Sequence, residues 1–513
     1  MRDRRYPIGI QTFSEIIRGG YVYVDKTDLV WQMVHYAKYI FLSRPRRFGK
    51  SLLTSTLESY FLGERELFEG LKIMDLEKEW EQYPVFRLDI STAKAQPSAD
   101  ALRKRLMLTL DDYVDIYGKK DQEETPGALL EGMIKRAYQK TGKQAVVIID
   151  EYDAPLLDVL HEDEMLDEMR KVMQEFYVPL KANERYIKFC FITGITKFSQ
   201  LSIFSTINNL TNVTMDANFG AICGITEHEL TTVLKEDIGM LAEVYGFTYE
   251  DMHQKLKQQY DGYRFTEKPE EIYNPFSLLK AFQQSKVANY WFESGTPTFL
   301  IRQMQHYRTD IMSLDHLEVP SSAFDQPTEN MKDALPLLYQ SGYLTIKGFD
   351  EEFGNYLLGF PNKEVSEGFT KYLIPYYSPV KKGQEAFFVS NFVKELRNGQ
   401  TEAFLKRLES LFADGNYQII GDAEKYFHNA VYIIFKMLGF YVEVEHATTD
   451  GRIDLLVKTK DYIYIIEFKI NESADAALQQ IAEKHYAKPF EHDGRTIYKI
   501  GINFSTKTKR IDD

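Results

Sequence analysis

Short apolar runs alternate with longer amphipathic stretches through the first part of the chain. The runs Val22–Thr27, Tyr39–Leu42, Val85–Ile90, Ala145–Asp150 and Ile187–Thr193 have the length and β-branched content of strands, the first leading into a helix start. Between them, Ser51–Phe61, Ala99–Tyr117, Pro126–Lys140 and Glu164–Ala182 carry helical patterns. Alternation of this kind predicts an α/β sheet with helices on its faces, expected over residues 1–224.

The pattern then changes. Residues 225–378 read as mainly helical, opening on the helix start Thr226-Glu227-His228-Glu229. Two aromatic-wrapped turns follow, Tyr260–Phe265 and Tyr273–Phe276, which read as packing rather than a ligand cage. A helix at Ala334–Ser341 precedes strands at Tyr343–Ile346 and Tyr356–Phe360, the outline of a winged helix. Such a unit serves either as a DNA reader or as a packing lid. Residues 379–513 form a third segment. Helices are expected at Glu402–Ala413 and Ala423–Leu438, then a strand at Phe440–Glu445 and a hairpin of Arg452–Val457 with Tyr462–Phe468. A helix at Ala476–Ala487 and a strand at Ile497–Phe504 close the chain, and the basic tail Ser505–Arg510 reads as a solvated terminus, with contact to phosphates as the alternative.

Chemistry enters where the Tyr39–Leu42 strand meets its helix. Arg44–Ser51 reads R-P-R-R-F-G-K-S, a phosphate-binding loop G-x-x-x-x-G-K-[ST] with Arg44 in place of the first glycine. In such a loop backbone amides wrap the phosphates, the lysine reaches the outer ones and the hydroxyl ligates Mg²⁺. The candidate nucleotide-binding residues are Arg47, Phe48, Gly49, Lys50, Ser51, Leu52 and Asp150. Asp150 and Glu151 end the next-but-one apolar run, where Asp150, with Ser51, supports the Mg²⁺ shell and Glu151 polarises the attacking water. Asp153 reads as a cap. One strand lies in sequence between the loop and Asp150, the arrangement of P-loop ATPases with a catalytic glutamate. Thr193, Thr196 and Lys197 are candidate sensors of the terminal phosphate, with a plain polar turn as the alternative. Arg44, Arg46 and Arg47 either add charge at the phosphates or pair with acids at a domain interface.

A second constellation lies near the C-terminus. Strand alternation puts Glu467 and Lys469 on one face, and the hairpin brings Asp454 beside them. Two carboxylates and a lysine suit metal-assisted phosphodiester hydrolysis: Asp454 and Glu467 as ligands of Mg²⁺ or Mn²⁺, Lys469 at the phosphate. Glu424, on one helix face with His428, is a candidate third carboxylate ligand, and either Gln479 or Gln480 is expected to face the site.

Composition narrows these readings. At 513 residues the chain exceeds one core, and 44% hydrophobic with 27% charged residues is ordinary for a globular protein. No apolar run approaches the ~20 residues of a membrane span. The N-terminus has charge without an apolar core, so no secretory signal is expected. Two cysteines, Cys190 and Cys223, suggest neither a disulfide framework nor a zinc site and fit a cytoplasmic setting. A net charge of −14 argues against a surface devoted to nucleic acid and leaves room for a local basic channel.

Together, Ile8–Ile10 with Phe13, Tyr23–Thr27, Phe41–Ser51, Asp150–Asp153, Gly194–Phe198, Tyr260–Tyr263, Gly451–Asp454 and Glu467–Lys469 resemble the AAA-ATPase-like proteins of bacteria and archaea that carry a C-terminal PD-(D/E)xK nuclease domain. The resemblance covers nearly the whole chain, and that family shares the arginine at the first loop position. It implies a restriction-endonuclease-like α/β domain after the P-loop sheet and the helical middle segment. It also implies Mg²⁺-dependent cleavage of nucleic acid, DNA foremost, by Asp454, Glu467 and Lys469, with Glu424 as the helical acid. The expected function is an ATP-binding protein, acting as an ATPase, whose nucleotide state gates a metal-dependent nuclease. The alternative is an ATP-dependent signalling or scaffold switch whose nuclease-like domain only recognises a partner or nucleic acid. A homo-oligomer is compatible with either.

Overall fold

β-Branched and aromatic runs of five to eight residues build the first sheet of the computed structural model, which describes residues 4–512 apart from 95, 161, 198–208, 295–297, 308, 327–331, 378–384, 414–422, 440–441, 447–453 and 509. The strands are β1 (Tyr39–Ser43), β2 (Val85–Asp89), β3 (Ala145–Asp150), β4 (Ile187–Gly194) and β5 (Thr211–Asn212). They lie in the order β2-β3-β4-β1-β5, all parallel. Every residue of β1 and β3 is buried, as a parallel strand covered on both faces requires. β4 lies between β1 and β3, so the phosphate loop and Asp150 emerge at the same sheet edge, one strand apart. Leu102, Leu129, Met133, Met169 and Phe176, from three helices, pack on Val147 and Ile149 to form the main core.

Two compact units make up the chain, residues 1–307 with 316–365 and residues 308–315 with 366–513. In the first, β6 (Ile225–Thr226) and β7 (Ile272–Tyr273) pair beside a helical cluster. A helix at Thr298–His306 is followed by β8 (Leu317–Pro320), helices Ser321–Phe324 and Leu335–Gln340, β9 (Thr345–Asp350) and β10 (Asn355–Gly359). This is the helix–strand–helix–helix–strand–strand order of a winged helix, with the strands arranged β8-β10-β9.

The second unit holds a mixed sheet of β11 (Glu443–His446), β12 (Leu455–Lys458), β13 (Tyr462–Ile470), β14 (Thr496–Ser505) and β15 (Arg510–Asp512) in sequential order. Only β13 and β14 run parallel. The crossover between them is the Ala474–Glu483 helix. The Ala423–Gly439 helix packs through Phe427, whose ring stacks on Phe504 at 4.3 Å.

Three expectations needed correction. Val22–Thr27 is not a strand: Tyr21 makes one isolated bridge to Arg5, and Asp25 instead accepts from the Thr27 amide (2.9 Å) and hydroxyl (2.7 Å), starting the Thr27–Tyr36 helix. The expected helix Ala99–Tyr117 is two, Ala99–Thr109 and Asp111–Tyr117, broken where Leu110 turns into the core and Asp111 and Asp112 favour a new N-terminus. The basic tail is not free, because Arg510–Asp512 pairs with Asn503–Ser505.

Candidate functional site

β1 ends at Ser43, and the Arg44 amide donates to Gly194 O of β4 (3.2 Å), which fixes where the loop leaves the sheet. Gly49 caps the Lys50–Phe61 helix with φ +89°, a left-handed conformation that explains why glycine stands there. Arg47 (φ +68°) and Glu151 (φ +49°) are also left-handed without being glycine, so backbone strain gathers at this edge. Lys50 is 5% exposed, and its Nζ donates to Arg44 O (2.9 Å) and Pro45 O (3.0 Å). Burial pushes the Lys50 amine below its ordinary range, opposed by Glu151 and Asp150. Burial likewise holds the Glu151 carboxyl above its ordinary range, opposed by Lys50 and reinforced by Asp153 and Asp150.

Asp150 closes the arrangement from β3. Its Oδ1 accepts from the Glu151 amide (3.0 Å), and the Thr54 hydroxyl reaches Oδ2 at 3.4 Å. A cavity of about 410 Å³ opens here, lined by Arg46, Lys50, Ser51 and Glu151 together with the Ile8–Gln11 segment and Phe276. Arg47 and Leu52 also line it, whereas the Phe48 ring is buried against Tyr263 (4.7 Å) and Phe265 (5.2 Å).

Of the three arginines of the loop, Arg46 and Arg47 line the cavity and Arg44 does not. Arg44 is 1% exposed and meets neither phosphate cavity nor acid. Its Nη1 donates to Ser43 O (2.9 Å) and Thr214 O (2.7 Å), its Nη2 donates to Phe219 O (3.0 Å), and the guanidinium lies 4.4 Å from the centre of the Phe265 ring. Burial lowers it to about 10, so it stays charged at neutral pH. Arg47 Nη1 donates to Tyr290 O (2.6 Å), with the guanidinium 3.9 Å from the centre of the Phe276 ring. Only Arg46 is exposed at the cavity.

The suggested sensors serve as struts. The Thr193 hydroxyl donates to Leu42 O (2.7 Å) and that of Thr196 to Asp153 (2.6 Å). Asp153 also accepts the amides of Ile195 (3.1 Å) and Thr196 (2.7 Å), so it caps the turn after β4 rather than its own helix. Lys197 pairs with Asp325 (2.6 Å), and its amide donates to Gln340 (2.8 Å). Gln340 belongs to the Leu335–Gln340 helix, the groove-reading helix of the winged-helix order, and all six of its residues are buried. The tip of that wing is Glu351-Glu352-Phe353, acidic and aromatic, with Phe353 70% exposed. In this unit the helix is packed inward and the tip of the wing is acidic.

In the second unit, Leu455 pairs with Ile466, which sets Asp454 opposite Glu467. The Phe468 amide donates to Asp454 Oδ2 (3.0 Å), and the Asp454 amide lies 3.4 Å from Glu467 Oε2. Lys469 Nζ donates to Gln480 Oε1 (2.6 Å), while the Gln480 amide group donates to Glu467. Gln480 thus joins the acid and the amine in one chain of contacts. Gly501, the register partner of Glu467, lets the helix approach: a Cβ there would meet Ala474 O at 2.3 Å. Burial and then the Asp454 charge push Glu467 up to about 7.

Helical phase could have chosen Gln480 over Gln479. Ala477 and Ile481 are the buried positions, which turns Gln480 toward the sheet and Gln479 outward to Glu483 (2.7 Å). Glu424 falls in the first turn of the Ala423–Gly439 helix; its side chain lies outside the described residues, as do Gly451, Arg452 and Ile453. His428 occupies an exposed position of the same helix. The buried Glu467 carboxylate beside the half-buried Asp454, both oxygen donors, suits a hard divalent cation. Among the described residues, no group of three His, Cys, Asp or Glu side chains is placed to hold one.

Comparison with known proteins matches the same two regions. Residues 7–204 match the family model described as predicted AAA-ATPase, and residues 422–513 that of the PD-(D/E)XK nuclease superfamily. Along its whole length the chain is similar to the "Uncharacterized protein in vnfD 5'region" of Azotobacter chroococcum mcd 1. The two are 32% identical over 530 residues, covering 100% of this chain and 98% of that protein.

Proposed function

This chain belongs to the AAA-ATPase-like proteins that carry a C-terminal PD-(D/E)XK nuclease superfamily domain, and on that premise we propose that it binds and hydrolyses ATP and cleaves nucleic acid, DNA foremost, under nucleotide control. Support comes from one observation made twice. Each region brings a lysine and two neighbouring carboxylates, Lys50 with Asp150 and Glu151, and Lys469 with Asp454 and Glu467, onto one sheet edge.

At the first site, the loop amides around Gly49 and the Lys50 amine would neutralise the phosphates, and Ser51 and Asp150 would hold the accompanying Mg²⁺. Glu151, held above the usual carboxylate range by burial, is suited to accept a proton from water. At the second site, Asp454 and Glu467, with Glu424 as the proposed third acid, would hold Mg²⁺ or Mn²⁺, which when bound acidifies water and offsets phosphate charge. Lys469 steadies the scissile phosphate, and Gln480 keeps that amine in register with Glu467.

The test is cleavage of plasmid and oligonucleotide substrates with Mg²⁺ or Mn²⁺, with and without ATP, by wild type, Asp454→Ala, Lys469→Ala and Lys50→Ala. Cutting is expected from wild type, to be lost in the first two variants and to lose its ATP response in the third. Equal cutting by all four proteins would remove the nuclease assignment.

A further inference from the structure

The chain enters the second unit once before it stays there. Residues 308–315 belong to that unit, although the Thr298–His306 helix before them and β8 after them belong to the first. In the winged-helix order, this strap is the connection between the first helix and the first strand. Connections of that kind ordinarily run over the surface, yet Ile311 and Leu314 are each 2% exposed. His316, where the chain turns back, is left-handed (φ +70°) without being glycine.

The strap grips one helix. Its Met312–Leu314 turn packs on the Ala423–Gly439 helix. The Ile311 amide donates to Oδ1 of Asn429 (3.2 Å), which is wholly buried, and Lys436 Nζ donates to Asp315 (2.5 Å). Lys436 is largely buried, so the Asp315 charge offsets its desolvation. Asn429 and Lys436 stand at i and i+7 and share a face. Phe427 and Phe435, on another face, meet the sheet at Phe504 and Phe468. The helix is thus held by the sheet on one side and by the strap on the other, and Glu424 lies in its first turn.

The far end of the strap leads back to the first site. From His316 the chain runs through β8 and the Ser321–Phe324 helix to Asp325, which pairs with Lys197 (2.6 Å). Lys197 follows the turn after β4 that Asp153 caps. The phosphate loop itself touches the winged helix, since a Cβ on Gly342 would lie 2.6 Å from Pro45. We propose that the 309–315 strap carries nucleotide occupancy of the first site to the second, by setting where the Ala423–Gly439 helix, and with it Glu424, stands against Asp454 and Glu467. This rests on reading the second unit as a metal-dependent nuclease under nucleotide control. Asp315, Asn429 and Lys436 are then positioning residues. A packed helix shifts as a body, so displacement at Lys436 is felt at its first turn.

The experiment compares the full chain as wild type, Asp315→Lys, Lys436→Glu and the double variant, which restores the pair with its charges exchanged. Mn²⁺ binding is read by electron paramagnetic resonance without nucleotide or substrate, counting the site that Asp454→Ala removes. Plasmid cleavage with and without ATP is read alongside. Each single variant is expected to weaken Mn²⁺ binding about 10–100-fold and to lose the ATP response, and the double variant to regain both. The strap is overturned if the single variants bind Mn²⁺ and respond to ATP as wild type does. A double variant as impaired as the singles also overturns it, marking a contact that serves folding alone. Wild type that cuts without regard to ATP would end the proposal and leave the nuclease standing. Wild type with neither cutting nor an Asp454-dependent Mn²⁺ site would remove the nuclease reading, and the strap with it.

A second measurement needs no variant. Amide hydrogen exchange of the full chain with a non-hydrolysable ATP analogue should change at Ile311 and over the Ala423–Gly439 helix together. A bound analogue that leaves both unchanged, or moves one without the other, counts against the strap.

Discussion

Arg44→Gly would give the phosphate loop its standard first glycine, and it is expected to damage the protein. The guanidinium is 1% exposed and donates to three main-chain carbonyls, of Ser43, Thr214 and Phe219. Those residues are themselves buried. Leaving a buried acceptor without its donor costs about 1–3 kcal/mol, and losing a desolvated cation–π contact such as that with Phe265 about 2 kcal/mol. Water entering the vacated space recovers part of this, so a net loss of about 4–6 kcal/mol is expected, a large share of a domain's usual 5–15 kcal/mol. Arg44→Lys keeps the charge but cannot fork to three carbonyls, and about half that loss is expected. Urea unfolding followed by tryptophan emission measures it cleanly, because all three tryptophans, Trp31, Trp80 and Trp291, belong to the unit containing the loop. ATP affinity should fall in parallel, since the same carbonyls anchor the loop's entry. An Arg44→Gly protein with an unchanged or raised midpoint and undiminished ATP binding would refute the strut.

Gln480→Ala should lower metal-dependent cleavage roughly 10–100-fold, because it removes the group that joins Lys469 to Glu467 while leaving both in place, and cleavage assays with added Mg²⁺ or Mn²⁺ check it. Glu364 is wholly buried, accepting the amides of Tyr290 (2.6 Å) and Trp291 (2.9 Å), and burial raises it from 4.5 to about 7. With the folded value raised, its contribution is complete below pH 4.5 and lost as pH rises through about 7, amounting to roughly 3 kcal/mol. Glu364→Gln mimics the protonated form, so its thermal midpoint should pull ahead of wild type as pH rises from 5 to 8; a constant difference would contradict the shift. Asp153→Ala should destabilise the turn after β4, where it leaves the Ile195 and Thr196 amides without their acceptor, by about 2–4 kcal/mol in the same tryptophan assay.

How legible all this was in the sequence depends on which distances the information travels. Strands β1, β3 and β4 follow from local apolar runs, but the strand that lies between loop and Asp150 in sequence, β2, is an edge strand, and it is β4 that separates β1 from β3 in the sheet. The Asp454–Glu467–Lys469 hairpin follows from alternation, and Gln480 from helical phase. What stayed illegible depends on partners far away in the chain. Thr214 and Phe219 lie 170 and 175 positions beyond Arg44, so no local pattern marks that arginine as a buried strut. Lys197 likewise meets Asp325 and Gln340 across more than a hundred residues, which hid the inward packing of the winged helix. The two glycine positions of the loop make the point in miniature. Gly49 sits where the backbone is left-handed and an L side chain would be strained, whereas Arg44 is not among the residues with positive φ. Backbone conformation therefore demands glycine at one position and not at the other. At the second position, the arginine side chain ties the loop to the Thr214–Phe219 segment. The departure from the glycine pattern is then what fastens the entry of the loop to the segment after β5.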